Sequence, residues 1–126
     1  MIGYATVGTT DMEKAKSFWS ELLASKGATV FSDSGRIACI GTGVDEPFLS
    51  VCIPYDESTP APGNGTMLAF TCESREEVDA LYAKAIKLGG TDEGPAGERS
   101  PTFYGGYFRD PDGNKGCFYK MGESAL

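Results

Sequence analysis

Two helical stretches with the same grammar, about 62 residues apart, constrain this chain more than any other feature in it. The first follows Thr10-Asp11-Met12-Glu13, a capping-box pattern in which a side-chain oxygen and a glutamate satisfy orphan amides. Met12, Ala15, Trp19, Leu22 and Leu23 then recur at helical spacing, and Gly27 supplies a stop. The second follows Ser74-Arg75-Glu76-Glu77, again a capping box. Val78, Leu81, Tyr82, Ala85 and Ile86 form its apolar face, and Gly89-Gly90 ends it. Trp19 reads as a core anchor of the first helix.

The segments around these helices read as strands. Residues 2–8 and 66–71 each lead into a helix; 29–32, 36–41 and 48–53 follow the first, and 91–93, 103–109 and 115–121 follow the second. Each half therefore reads β-α-β-β-β. The expected organisation is a module over 1–56, a polar Pro/Gly linker over 57–64 and a second module over 65–126. One half alone would leave its sheet open and its core thin, so the two are expected to pack as a single α+β domain.

Composition narrows the function classes. Of 126 residues, 40% are hydrophobic and 23% charged, the balance of a soluble globular chain. No run of roughly 18 apolar residues offers a membrane span, and Met1-Ile2-Gly3-Tyr4 has none of the regions of a signal peptide. A cytoplasmic protein with no membrane partner is expected. The net charge of −7 repels phosphate backbones, which argues against nucleic acid and mildly favours a cationic ligand. Cys39, Cys52, Cys72 and Cys117 are scattered without a CxxC pair and read as reduced, partly buried thiols. The chain has no histidine, which excludes imidazole metal sites, Ser-His triads and imidazole proton shuttles.

Near the end, Asp110-Pro111-Asp112-Gly113-Asn114 carries the chemistry of a tight turn between two strands: Pro presets φ, Asp side chains bond nearby amides, and Gly113 or Asn114 accepts a left-handed conformation. The duplicated unit ending in "GYFRDPDGNKGCFY", together with "TTDMEKAKSFWSELL", "GNGTMLAF" and "SREEVDALYAKAIKLGGTDEGP", resembles the vicinal oxygen chelate superfamily of glyoxalase I, bleomycin-resistance proteins and extradiol dioxygenases. The resemblance covers nearly the whole chain. It implies one curved, half-barrel-like mixed sheet with helices on its convex side, a concave face holding a small ligand, and a homodimer.

The resemblance also implies a divalent metal held by His, His, Glu and a fourth polar residue. At the matching positions stand Tyr4, Met67 and Cys117, with Ser50 or Cys52 at the fourth. Such sites want imidazole nitrogen and carboxylate oxygen. The expectation is therefore that no metal or other cofactor is used. Alternation places Tyr4 with Thr6, Met67 with Ala69, and Cys117 with Tyr119 on one face, the concave one if the resemblance holds. Tyr104 and Tyr107 flank Gly105-Gly106 and are expected at the cavity's edge, while Arg99, in a loop over 94–101, is placed to meet a ligand carboxylate. The function expected is binding of a small, aromatic or cationic organic molecule. The alternative is a glyoxalase-like lyase or dioxygenase-like enzyme with an unconventional or absent metal site. Lys115 shares the face of Cys117, at the solvated end of its strand.

Overall fold

The computed structural model describes residues 1–123; the last three residues of the expected second module, 124–126, lie outside the described residues. The chain divides into two compact units, one from Met1 to Gly63 and the other from Asn64 onward.

In the first unit, β1 (Tyr4–Gly8) leads to α1 (Met12–Leu22), a 3-10 turn (Ala24–Lys26), β2 (Thr29–Asp33), β3 (Ile37–Gly41) and β4 (Phe48–Cys52). The sheet runs β1-β4-β3-β2, with β1 and β4 parallel and the other pairs antiparallel. Alternation divides the strands cleanly. Val7, Leu49, Val51, Ala38 and Ile40 are buried with Ala15, Phe18, Trp19 and Leu22 of α1, as the amphipathic pattern requires. A fully buried Leu, Ile or Val stabilises by about 1.5–3 kcal/mol relative to exposure, so this layer fixes the register of every strand.

The second unit repeats the plan with β5 (Leu68–Thr71), α2 (Arg75–Lys87), β6 (Thr91–Ser100), β7 (Phe103–Arg109) and β8 (Lys115–Met121). Its sheet runs β5-β8-β7-β6, and β5 pairs with β8 in parallel. Val78, Leu81 and Ala85 of α2 are buried together with Phe108 and Phe118, whose rings stack. The α+β class and both β-α-β-β-β modules expected from the sequence are present. Among the described residues, no helix is long and apolar enough to cross a membrane.

Three local expectations change. The cap of α1 is Asp11, whose carboxylate accepts from the Lys14 amide, while Glu13 turns away to Lys16. Ser74 does cap α2, but its box partner Glu77 accepts from the amide of Glu73. The stretch expected as a short strand plus a loop over 94–101 is a single strand, β6, which stays paired to β7 through three register shifts. Gly94, at φ +144, and Pro95 masked it: both are poor strand residues and are tolerated here on an edge strand with bulges.

Candidate functional site

Each sheet has one face on its helix and one face away from it. In the second unit, the face away from α2 carries Phe103, Gly105, Tyr107 and Arg109 of β7 opposite Met121, Tyr119, Cys117 and Lys115 of β8. Ala69 of β5 lies beside Cys117 on the other side. Met67, one residue before β5 and 40% exposed, falls on this face by alternation.

Cys117 is the centre of this group. Its side chain is fully buried, and its thiol donates to the Phe118 carbonyl at 3.6 Å. Tyr107 is its directly opposite cross-strand partner on β7. Burial pushes the thiol's pKa up; Arg99, the Tyr107 hydroxyl and Lys115 pull the other way without reversing it. The group is thus a neutral thiol at neutral pH. It is a poor nucleophile until something changes its surroundings.

Tyr107 is enclosed by cations. The Arg99 guanidinium lies 5.3 Å from the ring centroid and the Lys115 ammonium 5.5 Å from it. Desolvation raises the pKa of its phenol, with Cys117 adding to the shift and Arg99 opposing it. Tyr119 stacks on Phe103 at 5.7 Å, nearly parallel. Phe103 carries no sequence signal of its own; counting back by two from Gly105 would have put it on this face. Lys115 reaches the Tyr107 ring and is not confined to the solvated strand end.

Other expected residues lie elsewhere. Tyr104 points to the helix side of its sheet, where its hydroxyl donates to Asp79 Oδ1 at 2.6 Å and its ring lies under Arg75. It does not join Tyr107: neighbours in a strand face opposite ways, and the two glycines between the tyrosines hid that parity. Tyr4 and Thr6 belong to the first unit, on the face away from α1, paired with Phe48 and Ser50. Tyr4 is 61% exposed and stacks on Phe48 at 5.1 Å, with Phe31 edge-on to Phe48. Beneath that aromatic tier, Cys39 and Ser50 are within hydrogen-bond reach at 3.5 Å.

The positions that the family resemblance assigns to metal ligands do not fit such a metal. Tyr4 offers a phenol, Met67 a thioether and Cys117 a thiol held neutral by burial. Among the described residues, no three His, Cys, Asp or Glu side chains come together.

With this geometry in view, comparison with known proteins is informative. The family model described as Glyoxalase/Bleomycin resistance protein/Dioxygenase superfamily matches residues 1–118. A glutathione transferase FosA of Serratia marcescens is 30% identical over 118 residues, covering 90% of this chain and 76% of that protein. A glyoxalase/bleomycin resistance protein from Albidiferax ferrireducens T118 superposes with a TM-score of 0.84 at 32% identity, over 94% of this chain and 97% of that one. A glyoxalase/bleomycin resistance protein/dioxygenase family enzyme from Burkholderia phytofirmans PsJN, at 18% identity and a TM-score of 0.77, shares the fold.

Proposed function

The chain belongs to the glyoxalase/bleomycin resistance protein/dioxygenase superfamily, and within it we propose that this member binds a small aromatic organic molecule without a metal, on the sheet face around Cys117. The observation that carries this reading is the composition of that face. Tyr107, Tyr119, Phe103 and Met67 offer ring and thioether surface on the side away from α2, and the Tyr107 and Tyr119 hydroxyls stand among them to orient a guest. The donor set at the family's metal positions supports the metal-free part of the reading. A cationic guest, favoured by net charge alone, is disfavoured locally by Arg99 and Lys115.

The test uses 2-naphthamide as a neutral aromatic probe, titrated in the presence of EDTA and followed by heteronuclear NMR. Resonances of Tyr107, Cys117 and Tyr119 should shift, and Ala69→Trp, which fills the face beside Cys117, should weaken binding by about tenfold or more. Binding that disappears with EDTA and returns with a metal would overturn the metal-free reading. Equal binding by Ala69→Trp would move the site elsewhere.

We further infer a cytoplasmic homodimer. The support is the superfamily's frequent dimerisation and four cysteine thiols scattered without a CxxC pair, two of them buried. Sedimentation at micromolar concentration should give twice the 13.4 kDa chain mass; a monomer would remove the dimer.

A further inference from the structure

Two of the three cations on this face, Arg99 and Lys115, have no acidic partner among the described residues. Arg109, at the end of β7, is held by Glu93 at 2.6 Å and by the Gly113 carbonyl at 2.8 Å. Arg75 pairs with Glu98 at 3.0 Å. Arg99 and Lys115 differ: no carboxylate of the described residues pairs with either, in a chain whose net charge is −7. Among the described residues the guanidinium donates to the Pro95 carbonyl alone, at 2.6 Å, which leaves its other N–H groups to outside acceptors.

Its position is built by the backbone around it. A Cβ at Gly94 would stand 3.3 Å from Arg99 Nη2 and 3.2 Å from Tyr107 Cδ2; one at Gly97 would stand 3.1 Å from Arg99 Nη1. The glycines therefore make the slot in which an edge-strand arginine folds back over Tyr107. The bulges of β6 that place Gly94 and Gly97 opposite Tyr107 and Gly105 belong to the same arrangement. A long, mobile side chain kept over an aromatic ring with its charge uncompensated is a recognition feature for an anion.

Resting on the reading of this face as an aromatic-molecule site, we propose that its ligand carries an anionic group, a carboxylate or a like oxyanion, which docks between Arg99 and Lys115 at Tyr107 while its ring lies towards Tyr119 and Phe103. The Tyr107 hydroxyl and the Cys117 thiol then lie at the junction of the charged and apolar parts.

The experiment compares 2-naphthoate with its neutral isostere 2-naphthamide, in the full chain and in Arg99→Gln and Lys115→Gln. Both changed residues lie on the sheet's outer face, and NMR spectra verify that the variants stay folded. Naphthoate should bind roughly fivefold to tenfold more tightly than the amide. Each variant should bring that ratio towards one, and rising salt should weaken the carboxylate more than the amide. Equal affinity of the two probes in the unaltered chain would overturn the anionic inference and leave the aromatic site standing. Failure of both probes at millimolar concentration would overturn the aromatic site, and the inference with it. A ratio unchanged in both variants would assign the preference to other donors and overturn the roles of Arg99 and Lys115.

Discussion

The two units share a plan and differ in what they put on it. In both, a parallel pair flanks the helix connection and a three-strand antiparallel meander follows. Against their helices, however, they fill the same space in opposite ways. Ile40 and Leu49 are cross-strand partners on the helix side of the first sheet, two side chains of similar size. Their counterparts in the second are Phe108 and Gly116, one large ring and no side chain. A Cβ at Gly116 would lie 2.8 Å from Phe108 Cε1 and 2.9 Å from Cε2, so the ring occupies the space a leucine fills in the other unit. One ring over a glycine is thus a different way of packing the layer between sheet and helix.

That comparison makes the strongest prediction. Phe108→Ala should cost about 3–5 kcal/mol in urea unfolding, because Gly116 has nothing to move into the hole. Adding Gly116→Leu should recover a substantial part of the loss, because it puts an aliphatic side chain where Leu49 stands in the first unit. In the unaltered background Gly116→Leu alone should destabilise by about 1–3 kcal/mol or more through overlap with the ring. A double variant no more stable than Phe108→Ala would break the equivalence of the two layers.

The outward faces differ more than the cores. The first unit's face has an aromatic tier of Tyr4, Phe48 and Phe31 over a small polar tier of Thr6, Ser50 and Cys39. The second has aromatics too, but adds Arg99 and Lys115 around a buried thiol. Lys115 stands at the start of β8, and Arg99 comes from a lengthened edge strand. β2 has five residues and one register shift, whereas β6 has ten residues and three. The extra length delivers Arg99 to Tyr107.

This is also where the sequence was hardest to read. The helices, the parallel strands and the β7 and β8 bounds follow from periodicity and capping, since burial of one face enforces a strict spacing. The second-unit pairing of Cys117 with Tyr107 could be reached by alternation once the turn at Gly113 was located. β6 could not, because bulges break the period of two and Gly94, Pro95 and Gly97 read as loop. The proximity of Arg99 to Cys117 depends on those irregularities, so it left no periodic trace. Tyr104 failed for the opposite reason: a regular strand sends it to the helix, and only an error of one in register would bring it to Tyr107's face.

The β3–β4 and β7–β8 connections carry the comparison to its smallest test. In the first unit, residues 42–47 lie mostly exposed, and Asp45 among them is open to solvent. In the second, the five-residue turn closes around Asp110, which is buried. Its carboxylate accepts from the amides of Asp112 and Asn114 at 2.9 and 2.8 Å and from Asn114 Nδ2 at 2.9 Å. Its own amide donates to the Asn114 carbonyl, and Gly113, at φ +88, completes the turn. Because Arg109 also donates to the Gly113 carbonyl, the turn sets the start of β8 and with it the approach of Lys115 to Tyr107. Asp110→Ala would strand several donors away from water, which costs about 1–3 kcal/mol, whereas Asp45→Ala should stay within about 0.5 kcal/mol of the parent. Asp110→Asn, which keeps one carbonyl acceptor, should fall between. Equal small losses for Asp110→Ala and Asp45→Ala would mean that the second turn is held by its backbone conformation alone, and the buried carboxylate would lose its role in placing β8.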